Sequence, residues 1–409
     1  MRVLQVNKFH WLKGGSETAY FGITKLLEAH GHEVIPFSMK DDKNLPTPWS
    51  RFFVENVDYG NGGLKNKLSC ALKIIYSFDA ASKMKRLLQE VRPDVAHFHI
   101  FQHQISPSVF GPLRKKGVPI ILTLHDLKPV CPNYRMYTGG KLCEKCSGGR
   151  FYNCLLNRCT KGSAFGSLIN TIEMYLHYAL RYYQNVDRYI TVSSFYRDKM
   201  IEAGFPPEKV VHIPNFIDAS EFQSNGADKG YGLYFGRLSD EKGLLTLLKA
   251  LKLCPEIPFY IAGSGPQEKE LKEFAGMTGL RNATFLGFKK GEDLKKLVQE
   301  ASFTVIPSEW YENCPMSVIE SLALGTPVIG SRIGGIPELV RDGVTGFTFT
   351  PGDSKDLSAK IKNFAANPML IENYGKNARK IAEKEYNPAT HYSGLMKIYE
   401  TAIRKNKRN

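Results

Sequence analysis

Short apolar runs of strand type alternate with helix-like segments along nearly the whole chain, and this alternation limits the fold to parallel sheets covered by helices on both faces. Val3–Val6 reads as a strand. It leads into a loop holding Gly14 and Gly15, an N-cap at Ser16, and a helical pattern through Ala19, Tyr20, Ile23, Leu26 and Leu27 that Gly31 ends. Glu33–Phe37, Asp94–Phe98, Pro119–Leu124 and Arg188–Val192 follow as further strands. The second half repeats the rhythm. Strands at Gly232–Phe235, Phe259–Ala262, Thr284–Leu286, Phe303–Ile306 and Pro327–Ile329 are separated by helices near Leu244–Leu253, Glu268–Phe274, Leu294–Val298 and Met316–Leu324. The 409 residues exceed one ordinary core and suit two domains of roughly 200 residues each. The expected fold class is therefore α/β in two Rossmann-like domains. Residues 1–212 form the first domain, 213–388 the second, and a last helix in 389–409 crosses back to the first. No solenoid-type repeat is present.

In open α/β sheets, ligands bind beyond the carboxyl ends of the strands, and three such loops carry useful groups. Gly14-Gly15-Ser16 permits close backbone approach and opens a helix N-terminus, but it is not a dinucleotide fingerprint. Gly236-Arg237 to Lys242-Gly243 places a forked donor and a compact cation at the sheet mouth, a pair suited to a diphosphate. Surface pairing of Arg237 and Lys242 with Asp240 and Glu241 is the plain alternative. The third loop, Ser308 to Glu320, holds Glu312 just before a helix and Glu320 in its second turn. Two carboxylates so placed accept hydrogen bonds from sugar and ribose hydroxyls, and the helix N-terminus between them favours phosphate. The helix is apolar nearly all round, so Glu320 needs a partner.

In order along the chain, these segments resemble the retaining glycosyltransferases of the GT-B architecture, family 4 (glycosyl transferases group 1). The family's two glutamates with seven residues between match Glu312 and Glu320. Its Gly-Arg…Lys-Gly matches Gly236-Arg237 and Lys242-Gly243, and Ala262-Gly263-Ser264-Gly265-Pro266 and Gly334-Gly335-Ile336-Pro337-Glu338 match two further signatures. The resemblance implies that the two domains face each other across a cleft, and that Arg237 and Lys242 hold the donor diphosphate, Glu312 the transferred sugar and Glu320 the ribose. It implies that Gly287 and Phe288 line the base pocket and that Gly15, beside Gly14, offers an N–H to phosphate. It makes His125, at a strand end, and Glu312 the catalytic pair. Asn313 and Ser317 are grouped with the substrate-binding residues. Two departures stand out: Cys314-Pro315 replaces the usual Phe-Gly, and the linker reads Asn215-Phe216-Ile217-Asp218. The first bears on which sugar fits.

The implied activity is transfer of a hexose-type sugar from a UDP- or GDP-sugar to a glycan or polyprenyl-linked acceptor, with retention, in cell-surface polysaccharide or glycolipid synthesis. A nucleotide-sugar epimerase or phosphorylase of the same architecture, and a non-catalytic glycan-binding protein, are the alternatives. With no Asp-x-Asp in a cleft loop, no catalytic metal is expected; Arg237, Lys242 and helix N-termini offset the leaving-group charge.

Five cysteines, Cys131, Cys143, Cys146, Cys154 and Cys159, crowd an insertion at 131–161 that lacks a clear period. In a reducing compartment such a cluster favours metal over disulfides, so a structural Zn²⁺ is expected, with an iron–sulfur cluster as the alternative. The N-terminus has no run suited to a signal peptide and no segment is long and apolar enough to span a bilayer, which points to a cytoplasmic protein. The net charge of +15 suggests an anionic partner. No nucleic-acid-binding motif is present. The basic stretch Lys65–Arg86 reads either as an amphipathic surface on the inner membrane face or as two ordinary helices with wet outer faces.

Overall fold

The computed structural model describes residues 1–56, 71, 73–224 and 228–408. Lys65 and Lys67, with the apolar Leu64, Leu68 and Leu72 interleaved, lie outside these. The chain forms two compact units: one of 1–136, 143–214 and 391–409, the other of 137–142 and 215–390.

The sheet of the first unit contains β1 (Arg2–Val6), β2 (Glu33–Phe37), β3 (Val95–Phe98), β4 (Ile120–Leu124), β7 (Arg188–Thr191) and β8 (Val210–His212), in the order β2-β1-β3-β4-β7-β8 with every pair parallel. β5 (Tyr137–Thr138) and β6 (Lys141–Leu142) make a separate antiparallel hairpin. The sheet of the second unit contains β9 (Gly232–Phe235), β10 (Phe259–Ala262), β11 (Ala283–Gly287), β12 (Phe303–Ile306), β13 (Val328–Ser331) and β14 (Gly346–Phe349). Its order is β11-β10-β9-β12-β13-β14, again all parallel. Strands β3, β4, β9, β12, β13 and β14 are buried at every residue, as strands with both faces covered must be, and β4, β9 and β12 accordingly read as largely apolar runs.

The helices between strands bury one face and start at identifiable caps. Ser77 accepts from the Ala80 N–H to open the helix Phe78–Glu90, and Asp353 accepts from Lys355 and Asp356 to open Ser354–Ala366. The Phe78–Glu90 helix turns Ala80, Met84, Leu87 and Leu88 inward, while Lys83 is tied to Asp79 and Glu55. This described part of the basic stretch thus spends most of its apolar face on the core, with Phe78 left exposed at its start. The C-terminal helix Pro388–Arg408 belongs to the first unit from His391 onward, and its buried Tyr399 donates or accepts at His97 Nδ1 over 2.7 Å.

Four strands were not legible in the sequence: the two-residue hairpin strands β5 and β6 and, in the parallel sheets, β8 and β14. β8 has only three residues, and β14 begins at Gly346, whose positive φ of 157° and close approach to the Val328 carbonyl forbid a side chain. A Gly-Phe-Thr-Phe run gives no hydrophobic period to detect.

Candidate functional site

In the second unit, β9 and β12 are adjacent although β10 and β11 intervene in sequence. The chain winds outward from β9 on one side and from β12 on the other, so the loops leaving these two strands diverge and open a crevice at their carboxyl ends. Those loops are the Gly236–Gly243 and Ser308–Pro315 segments.

Glycines bring them together. Gly243 has φ +68° and a Cβ there would strike the Pro307 carbonyl, so only glycine lets the first loop close on the end of β12. The Glu309 N–H then donates to the Glu241 carbonyl over 2.9 Å. Gly334, at φ +59°, lies so close to the backbone of Glu312 that no side chain fits, and the Gly335 N–H donates to the Glu312 carbonyl over 2.8 Å. Gly263 and Gly265 lie equally close to the Gly236 and Leu238 carbonyls. The glycine motifs are thus the contact points of four nested loops, after β9, β10, β12 and β13.

The nesting fixes the charged groups. Lys242 Nζ lies 2.6 Å from Glu312 Oε1, and the Ser308 hydroxyl donates to the same oxygen over 2.6 Å. Burial pushes the Glu312 carboxyl up, but the Lys242 ammonium, with hydrogen bonds from Lys242, Ser308 and Trp310, outweighs it and holds the group below the ordinary value. Glu312 is therefore an ionised acceptor. Glu241 turns inward and accepts from the Ser239 hydroxyl over 2.8 Å, so surface pairing within 240–242 does not consume Lys242. Arg237 is exposed and, among the described residues, in no ion pair. The helix Met316–Ala323 follows with Pro315 as its N-cap. Glu320 lies on it half-buried, pushed up to about 7 by burial against the opposing pull of the Lys295 charge. Asn313 is buried and Ser317 half-buried. Gly287, at φ +67°, ends β11 and its carbonyl accepts from Gly263, while Phe288 is 69% exposed.

In the first unit, the adjacent, diverging strands are β1 and β3. Gly14 and Gly15 are exposed at the start of the helix Gly15–Ala29, with Gly14 extended as its N-cap. Behind them Glu17 is buried in the first turn. It accepts from Asn7 Nδ2 over 3.4 Å and from the Ser16 hydroxyl over 3.1 Å, and burial keeps its carboxyl raised. His125 follows the last residue of β4. Its Nε2 lies 3.0 Å from His99 Nδ1, with the two rings stacked. His97, one strand inward, bonds Thr123 through Nε2 and Tyr399 through Nδ1, each over 2.7 Å. Burial lowers all three imidazoles, His125 to about 4 and His97 to about 3. They are neutral rings at pH 7, each able to donate at one nitrogen and accept at the other.

A model of Glycosyltransferase Family 4 matches residues 13–221, over half of the chain, and one of Glycosyl transferases group 1 matches residues 217–381. The chain belongs to glycosyltransferase family 4. An uncharacterised glycosyltransferase of Methanocaldococcus jannaschii is 28% identical over 216 residues, which cover 53% of this chain and 60% of that one. The chain thus spans well under two thirds of that relative's length. A protein from the cps region of Klebsiella pneumoniae is 26% identical over 83% of this chain and 88% of its own. Among solved structures, Anabaena HepE in complex with UDP and glucose superposes with a TM-score of 0.70 at 18% identity, covering 98% of this chain and all of that one. The GT-B fold of this family 4 member is therefore shared even where sequence has diverged.

Sequence reasoning missed three groups in this family 4 chain: His97, His99 and Glu17. His97 is read from sequence only as part of a strand, and His99 lies just beyond it. A buried parallel strand that spends one position on an imidazole, with a second histidine directly after its end, was the available signal, because a polar ring there needs partners. Glu17 was visible as an acid in a helix's first turn, but its inward aim follows from Asn7 at the end of β1.

The five insertion thiols lie near one another, and Cys146 feels Cys131, Cys159 and Cys143. Among the described residues, no group of three or more His, Cys, Asp or Glu side chains is placed to hold a metal ion. The five insertion cysteines are all described and none is in a disulfide; Cys131, Cys146 and Cys154 are buried, and burial pushes Cys131 up to about 11 and Cys146 to about 12. The insertion builds a small core of its own. Phe151 is buried against Tyr175 and Tyr178, and Cys154 sits inward on the short helix Tyr152–Leu156.

Proposed function

We propose that this chain transfers a hexose-type sugar from a UDP- or GDP-sugar to a glycan or polyprenyl-linked acceptor, with retention and without a catalytic metal. The observation that carries the reading is the Lys242–Glu312 pair, 2.6 Å apart at the mouth between β9 and β12. An ammonium beside an ionised, buried carboxylate presents one cation for a diphosphate and one acceptor for sugar hydroxyls within a single side-chain length. Arg237 is an exposed second cation for the diphosphate, and Glu320 accepts from ribose hydroxyls. Gly287 and Phe288 border the base, and Asn313 and Ser317 bind beside the glutamates. In the first unit the Gly14–Gly15 turn offers N–H groups to phosphate, and His125 binds toward the sugar. HepE, of the same fold, binds UDP and glucose, which supports UDP as the donor nucleotide to test first. Attack occurs on the face the leaving group departs from, and the departing phosphate takes the acceptor's proton.

The test is a thermal-shift survey of UDP-, GDP-, ADP- and CMP-sugars on native protein, Glu320→Ala and Arg237→Ala. Binding to the native state raises Tm by mass action. A shift with one nucleotide class, lost in both variants, supports the reading. No shift with any nucleotide sugar counts against it.

A further inference from the structure

The helix Ala164–Ala179 is built inside out. Its buried residues are Ser167, Asn170, Thr171, Glu173, Met174 and His177, five of the six polar. The face turned outward carries Phe165, Leu168, Ile172, Tyr175 and Leu176, and Leu180 continues it, each between 38% and 54% exposed. At 3.6 residues per turn these two sets lie on opposite sides of one cylinder.

The inward polar face is held by hydrogen bonds, His177 Nδ1 being the exception. Lys128 Nζ lies 2.6 Å from Glu173 Oε2, His177 Nε2 lies 2.9 Å from the Ile75 carbonyl, and the Thr171 hydroxyl donates to the Ser167 carbonyl over 2.8 Å. The helix cannot rotate its apolar side inward without unpairing a buried ion pair, so the outward stripe is fixed by the core. The stripe continues onto the neighbouring helix, where the Tyr152 N–H donates to the Tyr175 hydroxyl over 3.3 Å and Tyr152 and Leu156 are exposed.

The surroundings are cationic. Between 143 and 182 the chain has Lys145, Arg150, Arg158, Lys161 and Arg181 against Glu144 and Glu173. Both carboxylates are already paired, with Lys199 and Lys128. Arg150, Arg158, Lys161 and Arg181 are exposed and, among the described residues, in no ion pair. Arg158 and Lys161 precede the helix and Arg181 follows it. All three hold a left-handed backbone, at φ 45°, 51° and 57°, where a glycine or asparagine would be less costly.

We propose that this face is the chain's docking surface for an anionic lipid bilayer. An apolar stripe along a helix with unpaired cations at both ends is what an interfacial helix needs. The rings and aliphatic chains enter the boundary between headgroups and acyl chains, and the cations meet lipid phosphates. Among the described residues no helix is long and apolar enough to cross a membrane, so the contact lies on the surface. It does not involve the Phe78–Glu90 helix, whose apolar side is in the core. The inference stands apart from the transferase reading, since no residue of the stripe belongs to the proposed donor site.

The test is co-sedimentation of the full chain with vesicles of phosphatidylcholine, with and without phosphatidylglycerol, at low and high salt. The native protein binds the anionic vesicles, and salt weakens the binding. Ile172→Asp with Leu176→Asp lowers partitioning by about tenfold or more, and Arg158→Glu with Lys161→Glu lowers it on anionic vesicles only. Circular dichroism and an unchanged UDP-sugar thermal shift show that the variants are folded. Failure of the native protein to bind anionic vesicles overturns the proposal. So does a concentration-dependent dimer that the Ile172→Asp, Leu176→Asp pair dissociates while vesicle binding is unaffected, because the stripe would then be covered by a second copy.

Discussion

The Lys242 ammonium and the Glu312 carboxylate lie 2.6 Å apart across 70 residues of sequence, held there by loops that only glycine lets nest. Replacing Lys242 by Met leaves a buried carboxylate without its cation. We expect a loss of about 3 kcal/mol in stability by urea melts, and a loss of donor-induced thermal shift. Glu312→Gln keeps the shape, so its stability loss is smaller, while transfer falls by roughly a hundredfold if the carboxylate meets the sugar hydroxyls in the transition state.

Glu320 makes the stability of the ligand-free protein depend on pH in a particular direction. Its carboxyl is raised from 4.5 to about 7 in the folded chain, so the folded state binds more protons than the unfolded state between those values. Stability contributed by this group is present at low pH and is lost as pH rises from about 4.5 through about 7, by at most roughly 3 kcal/mol. Glu320→Gln removes that slope. Thermal melts of both proteins over this pH range check it, and parallel curves would refute the assignment.

Gly243→Ala and Gly343→Ala separate the two demands placed on glycine. Both residues have positive φ, +68° and +74°, but only Gly243 faces a backbone carbonyl, whereas nothing stands within 4 Å at Gly343. The Gly343 variant should lose about 1 kcal/mol. The Gly243 variant should lose substantially more and lose donor binding with it, because the loop carrying Lys242 must move off Pro307. Equal Tm losses would show that the close approach is not the constraint.

Lys128 and Glu173, each 1% exposed, form a buried pair in the first unit. Glu173→Ala alone strands an ammonium and should cost about 3–5 kcal/mol, whereas Lys128→Met with Glu173→Met should cost much less. Chemical denaturation of the three variants reads the difference.

The cysteine insertion gives a prediction about metal. With a core formed by Phe151 and Cys154 and no three-ligand group among the described residues, a chelator should leave Tm unchanged, and Cys143 and Cys159, half-buried, should alkylate before Cys154. A fall in Tm on chelation would restore a structural ion.

The parallel sheets, their strands and the identity of Arg237, Lys242, Glu312 and Glu320 were legible because buried parallel strands are largely apolar runs and because glycine and charge signatures are local. β14 was not, since its glycine is dictated by the Val328 carbonyl on another strand. The cysteine insertion is a related case: five thiols in one segment are a local signal, but whether they form a ligand set depends on how the aromatic residues of the following helix pack beside them. The histidine group is a further case. His97, His99 and His125 come from two strands and bond to Thr123 and Tyr399, the latter from the C-terminal helix, so no spacing announces them.

What the sequence by itself determined is the class of fold, the order of its elements and the family, because hydrophobic period and short motifs are written locally. Only the tertiary structure decided which partners the charges take, that the glycine signatures are contacts between loops, and that the helix Ala164–Ala179 shows its apolar side outward. The physical reason is common to all three. The period of a helix reveals that it has two faces, but which one is buried depends on whether the surrounding chain supplies polar partners, and here Lys128 and the Ile75 carbonyl supply them.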